Sequence, residues 1–380
     1  MSRILAVELL LIELPLVQPF RTSFGEMSEK RCILVRVETD EAEGWGECVA
    51  DTRPEFSEEF NEGAWLVLRD FLVPALFAAP DIHVADVESR FGDVRGNPMA
   101  KAALVDAVVD AALRADGVSL RTWLGGVRDR VECGVSIGIA PMTEVLLEQV
   151  AGYRAEGYRR IKLKIEPGTD LERVRAVREA HPDVPLSVDA NAAYTLDDAA
   201  VFRSMDELDL LMIEQPLHHE DLVRHAELQA ILRTDLCLDE SIRSADDAVA
   251  ALDLGACRIV NVKQGRVGGV LEAKRLHDRC LERGAPVWCG GMLETGVGRA
   301  LNLALASMPG FTLPGDTSAS RRYFDADLTE PFELAADGTM AVPTGPGIGV
   351  VPAPERLRER VVRREVLRTP TKSDKTGDAP

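Results

Sequence analysis

The sequence has no excess of basic residues: Lys and Arg number 44 against 63 Asp and Glu, a formal charge of −19. A phosphate backbone is bound through a basic surface that displaces its counterions, so nucleic acid is not an expected partner. No run reaches the roughly 20 apolar residues needed to cross a bilayer, and no membrane partner is expected either. The opening Met1-Ser2-Arg3-Ile4-Leu5-Ala6-Val7-Glu8 lacks the uninterrupted apolar stretch of a signal peptide, because Glu8 and then Glu13 break it. Cysteine pairs are missing as well. The seven cysteines, at 32, 48, 133, 237, 257, 280 and 289, include no C-x-x-C and form an odd set. That fits reduced thiols rather than a disulfide framework or a zinc site, and a cytoplasmic protein is expected.

What is present is the balance of a folded protein, 46% hydrophobic and 28% charged over 380 residues. This length exceeds what one core usually organises, so a barrel-sized unit with an attachment, or two ordinary domains, is expected. Leu5–Leu14, Cys32–Thr39 and Gly44–Val49 read as strands of a meander, with a turn at Asp40-Glu41-Ala42-Glu43-Gly44. After Phe56 the periodicity turns helical, clearest in the alanine-rich Met99–Leu113, which suits close packing. Residues 1–125 are therefore predicted to form a small α+β domain.

Between 131 and 315 the chain repeats apolar strand, loop and helix, the pattern of a parallel sheet wound by βα crossovers. The strand cores are Gly134–Ile137, Arg160–Lys164, Leu186–Asp189, Leu210–Glu214, Leu236–Asp239, Ile259–Lys263, Val287–Cys289 and Phe311–Leu313. Eight strands predict a closed barrel over 126–320. A C-terminal segment, 321–368, is irregular and rich in Pro and Gly to about Pro352, and is expected to return to the first domain. Within it Arg356–Arg368, interleaved with Glu359 and Glu365, reads as a solvated helix. Residues 369–380 are polar and unpatterned, and disorder is expected there.

Five of these strands end in Lys164, Asp189, Glu214, Asp239 and Lys263, spaced 25, 25, 25 and 24 residues apart. In a β/α barrel such ends converge on one mouth, where catalytic groups sit. Three carboxylates brought together repel one another unless a cation lies among them. All-oxygen ligation favours Mg²⁺ over Zn²⁺. The plainer alternative, that each acid caps the following helix, explains one Asp better than three at equal spacing. Lys162 and Lys164 lie two apart on one strand and so share a face, the barrel interior. A desolvated lysine near a divalent cation is expected to have its pKa lowered toward that of a general base. Lys263 stands across the mouth from Lys164, so the two could address opposite faces of one carbon. Gly290–Gly298 could cradle phosphate, though a glycine-rich loop also simply lets backbone approach a ligand. His218-His219 reads as a surface pair. No histidine falls near the ends of the sixth or seventh strands, which argues against a His–Asp base.

Taken together, Lys162-x-Lys164, Asp189-x-Asn191, Glu214-Gln215-Pro216, Asp239-Glu240-Ser241 and Lys263 resemble the enolase superfamily, in its muconate lactonizing enzyme subgroup. Pro19–Gly25, Gly134–Ile139, Ile161–Gly168, Gly265–Gly269, Pro286–Gly296 and Leu313–Ser320 look like the o-succinylbenzoate synthase / N-succinylamino acid racemase family (N-acylamino acid racemases). The resemblance implies a (β/α)₇β TIM-like barrel with an N-terminal α+β capping domain. It implies Mg²⁺, with Mn²⁺ able to substitute, on Asp189, Glu214 and Asp239. Lys164 and Lys263 would be the acid/base pair, and Lys162 an electrostatic partner of the substrate carboxylate. Loops 20–25 and 51–57 would close over the substrate, with contacts expected from Phe20, Ser23, Ser136, Asn191, Glu240, Gly291 and Met292. Arg266 resembles an arginine of racemase-competent members that modulates Lys263.

The implied reaction is abstraction of a proton α to a carboxylate through an enediolate, stabilised by preorganised charge. The implied substrate is a small anionic carboxylate, either an N-acylamino acid or the cyclohexadiene carboxylate of menaquinone synthesis. A homo-oligomer, dimer or octamer, is implied too. Within the superfamily a dipeptide epimerase or a muconate-type cycloisomerase is the alternative. Asp316-Thr317-Ser318 lacks the Asp-x-Asp that dipeptide epimerases use, while Gln264 and Arg321-Arg322 depart from the family pattern beside the mouth. From other classes, the alternatives are a Schiff-base aldolase-like barrel, which borohydride trapping would reveal, and a non-catalytic binding protein.

Overall fold

The computed structural model describes residues 2–370. Three long N-terminal strands, β1 (Ser2–Thr22), β2 (Gly25–Thr39) and β3 (Glu43–Cys48), form an antiparallel meander. Val7 to Ile12 is a continuous apolar run apart from Glu8 and is buried throughout, as expected of a strand covered on both faces. Against β3 lies the alanine-rich helix Pro98–Ala115, with Pro98 at its first turn. The contact is backbone to backbone. A Cβ on Gly44 would stand 2.1 Å from the Ala107 carbonyl oxygen, and one on Gly46 would stand 2.0 Å from that of Ala103. Small residues on both elements are thus what lets the helix settle on the sheet.

The barrel strands run in sequence order around a parallel sheet: β4 (Gly134–Ile137), β5 (Arg160–Lys164), β6 (Leu186–Asp189), β7 (Met212–Glu214), β8 (Leu236–Leu238), β9 (Ile259–Val262) and β10 (Val287–Cys289). The expected eighth strand, Phe311–Leu313, is instead a pair of single bridges, Val287 to Phe311 and Cys133 to Gly315. Pro309-Gly310 and Pro314-Gly315 flank it, so no ladder can grow. The ring still closes, since the Gly134 amide donates to the Gly315 carbonyl at 2.6 Å. Strands expected to end at Asp239 and Lys263 stop one residue earlier. The Asp239 amide is taken by the Gln215 side chain at 3.0 Å, and Lys263 stands just before the short helix Gln264–Val267, its carbonyl accepting the Arg266 and Val267 amides.

The C-terminal segment differs from the solvated helix expected over Arg356–Arg368. The helix covers only Pro354–Arg360, and Val361–Arg368 is a strand, β11, paired antiparallel to β1 at the sheet edge. Its alternation of half-buried and exposed residues has period two. The arginines conceal that period from a hydrophobicity reading: Arg364 pairs with Glu8, and Arg363 with Glu62. Thr369, the first residue of the expected tail, donates its amide to Leu5 at 3.0 Å. The rest of that expectation, from 371 on, lies outside the described residues.

Candidate active site

The alternation of β5 turns Arg160, Lys162 and Lys164 to the barrel interior and Ile161 and Leu163 to the surrounding helices. The neighbouring strands bring carboxylates to the same level, with Lys164, Asp189 and Glu214 in register across β5, β6 and β7. Lys164 Nζ donates to Asp189 Oδ2 and to Asn191 Oδ1, each at 2.7 Å. Lys162 Nζ lies 2.7 Å from Glu214, 3.1 Å from Asp189 and 2.8 Å from Asp316. Beyond β9, Lys263 Nζ reaches Asp239 Oδ2 at 2.7 Å and Met292 Sδ at 3.5 Å. Arg266 binds the other oxygen of Asp239 and donates to the Ile242 and Asn261 carbonyls at 2.6 Å each. It is 3% exposed, so it belongs to the buried interior beside Asp239.

These ion pairs set the charge of the site. Burial disfavours the ammonium of Lys162, yet Asp316, Glu214 and Asp189 together raise its pKa, and Asp239 does the same for Lys263. The lowering expected of a lysine applies beside a bound divalent cation, whose positive charge is not part of these ion pairs. Here the ammoniums themselves neutralise the carboxylates, so attraction outweighs desolvation. Burial likewise opposes charge on Asp189, but Lys164 and Lys162 hold it well below the usual carboxylate range. Glu214 is pushed up to about 8, by burial and then by the charge of Asp189. Burial and the charge of Asp239 also bring Glu240 to about 7.

The three expected metal ligands lie on adjacent strand ends, each at most 1% exposed, and offer only carboxylate oxygens, which fit a hard divalent cation. Among the described residues, a set of ligand atoms all within 4.8 Å of one another occurs elsewhere, in His218, His219 and Glu220 at the surface. The Lys162, Lys164 and Lys263 ammoniums lie among these carboxylates.

Above these groups opens a cavity of about 480 Å³. Ser136, Lys162, Lys164, Asn191, Lys263, Gly291 and Met292 line it from the barrel, and Phe20, Phe24 and Phe56 from the cap. Two expected contacts are placed otherwise. Ser23 donates to the Ala190 carbonyl at 3.3 Å, pinning the β1–β2 turn to the barrel. Glu240 stands behind Asn191, whose Nδ2 reaches it at 2.9 Å. Asp316 reads in the sequence only as part of a motif, with no role in the site assigned to it. It lines the cavity and receives Arg160 at 2.7 Å as well as Lys162, and these cations hold it well below the carboxylate range although burial opposes its charge. Its signal was available, as a polar residue just beyond the eighth strand position. Asn261, bonded to Glu214 Oε1 at 2.6 Å, and Gln215 were missed too. Gln215 sits at φ 38° and accepts the amides of Asp239 and Ser241, tying the end of β7 to that of β8.

The glycine-rich loop is not a phosphate cradle. Glu47 of β3 accepts the amides of Thr295 at 3.1 Å and Gly298 at 2.9 Å, so a carboxylate from the cap occupies the N-terminus of the Gly296–Ala306 helix.

Comparison with known proteins agrees with this architecture. Residues 6–125 match the mandelate racemase / muconate lactonizing enzyme N-terminal domain, and residues 145–356 match the enolase C-terminal domain-like family. The chain belongs to the enolase superfamily. Within it lies the muconate lactonizing enzyme subgroup, to which these domain models point. An N-succinylamino acid racemase from an Amycolatopsis species is 57% identical over 93% of this chain and 96% of its own. An o-succinylbenzoate synthase from Geobacillus kaustophilus is 54% identical over 89% of this chain and 90% of its own. A solved enolase-superfamily member from Listeria innocua superposes with a TM-score of 0.93 at 40% identity, covering 97% of this chain and 100% of its own. Enzymes of this superfamily act on small carboxylates with a divalent metal. Epimerase and cycloisomerase relatives are more distant, at 26% and 25% identity.

Proposed function

We propose that the protein removes the proton α to the carboxylate of N-succinylamino acids and racemises them, and that the same groups carry out o-succinylbenzoate synthesis. The observation that carries this reading is that Lys164 and Lys263 reach one cavity from β5 and from the end of β9, four strands apart. An α-proton beside a carboxylate is very weakly acidic, because its loss puts a second negative charge on the same group. Asp189, Glu214 and Asp239 would hold Mg²⁺, or Mn²⁺ in its place, which supplies the compensating positive charge when bound. Lys162 adds a fixed cation beside the forming enediolate.

In racemisation one lysine accepts the α-proton, and the ammonium on the other side donates its own proton to the opposite face. In syn-dehydration Lys164 takes the proton and returns it to the departing hydroxyl, which leaves as water, while Lys263 stays a cation. The aldolase alternative loses its phosphate cradle to Glu47. The test is direct: the Mg²⁺-loaded protein should racemise N-succinylphenylalanine by polarimetry and form o-succinylbenzoate from its cyclohexadiene precursor. Absence of both activities would overturn the proposal.

A further inference from the structure

The two lysines differ in what surrounds them. Lys164 Nζ is held by oxygens, those of Asp189 and Asn191. Lys263 Nζ instead has the Phe56 ring centroid at 4.6 Å and Met292 Sδ at 3.5 Å, in addition to Asp239. A ring face at that distance attracts an ammonium and keeps water from one side of it.

Phe56 belongs to the cap, on a stretch whose residues 52–55 are all exposed. The stretch is nonetheless fixed at both ends. Fully buried Lys30 holds Asp51 at 2.9 Å and the Val49 carbonyl at 3.2 Å. At the other end the Glu59 carboxylate accepts the amides of Met99 at 2.7 Å and Ala100 at 3.0 Å, at the start of the Pro98–Ala115 helix. Phe56 turns inward between these anchors, packs against the core and lines the cavity.

We propose that Phe56 is a positioning residue for Lys263: with Met292 it forms an apolar clamp that directs that ammonium at one face of the substrate carbon and leaves Lys164 unaffected. The proposal rests on the reading of the two lysines as the acid/base pair. Its consequence is an asymmetry between enantiomers, since each lysine removes the proton from one of them.

The measurement is the initial rate of α-¹H loss in D₂O, followed by NMR, for pure N-succinyl-L- and N-succinyl-D-phenylalanine with the Mg²⁺-loaded enzyme. Phe56→Leu, which keeps bulk but removes the ring, should slow one enantiomer about tenfold and the other by less than about twofold. Phe56→Tyr should restore the slowed rate. The slowed enantiomer must be the one whose exchange Lys263→Ala abolishes. Equal slowing of both enantiomers, or of neither, overturns the proposal and makes Phe56 a general cover of the cavity. A wild-type enzyme that exchanges neither enantiomer would instead defeat the functional reading, and the proposal with it.

Discussion

Arg266 and Lys263 share one carboxylate, each bonded to a different oxygen of Asp239. A guanidinium on one oxygen withdraws charge from the other, so Arg266 sets how strongly Asp239 holds the Lys263 ammonium. Racemisation needs Lys263 to exchange protons, whereas dehydration needs it only as a cation. Arg266→Gln should therefore lower kcat/KM for N-succinylamino acid racemisation by about tenfold or more, and o-succinylbenzoate formation much less. Equal losses in parallel steady-state assays would show that Arg266 acts on the metal ligand alone.

Lys164→Ala should abolish both activities, and Lys263→Ala should abolish racemisation, each by about 10³-fold or more, since a two-base mechanism fails without either group. Chiral chromatography of the products settles this. Retained racemisation in either variant would contradict the opposed lysines.

Arg160, Lys162, Lys164, Lys263 and Arg266 face Asp189, Glu214, Asp239, Glu240 and Asp316, five formal positive charges against five negative. The barrel interior thus reaches its charge balance through its own side chains, with Glu214 and Glu240, pushed up to about 8 and about 7, able to hold a proton. Chelation should abolish activity without unfolding the protein, and added Mg²⁺ should raise the melting midpoint with concentration. Asp239→Asn should remove most of that rise, since it keeps the shape of a ligand and drops its charge. Calorimetric scans with chelator and with graded Mg²⁺ test both points. A chelated protein with no cooperative transition would refute the balance.

Asp106 of the Pro98–Ala115 helix is fully buried, and its Oδ1 accepts the Val270 amide at 2.8 Å. Burial raises its pKa to about 8, a rise that the Val270 amide reduces and Glu88 and Asp110 increase. The folded protein then binds a proton that the unfolded chain releases near pH 4, so this site's contribution to stability is full in acid and falls as pH climbs toward 8. Asp106→Asn keeps the acceptor and cannot ionise. It should melt like wild type near pH 4 and several degrees higher near pH 9. A wild-type midpoint that rises between those values relative to the variant would reverse the sign.

The site was legible where its chemistry follows strand order. Asp189, Glu214, Asp239, Lys164 and Lys263 repeat at nearly equal spacing because each ends one βα unit. Asp316 and Asn261 were not, since their importance comes from partners 154 and 47 positions away: Lys162 for the first, Glu214 for the second. Gln215 was quoted within a motif, but its work is a side chain bonding to amides of the next strand's end. In the fold, βα periodicity predicted the barrel, while β11 was lost because arginine occupies positions that apolar residues fill in a covered strand. The eighth strand was overread, as proline and glycine on both sides leave room for bridges alone.

Pairing of β11 with β1 has a consequence for the order in which the protein can be completed. The outer edge of β1 is covered by residues 361–368, and these leave the ribosome after the whole barrel has been made. Until then a growing chain carries an open strand edge, with Leu9 and Leu11 beside it, able to pair with any other extended chain. Residues 361–368 therefore close an edge laid down by residues 6–12, and a chain stopped short of Val361 would be left with that edge uncovered.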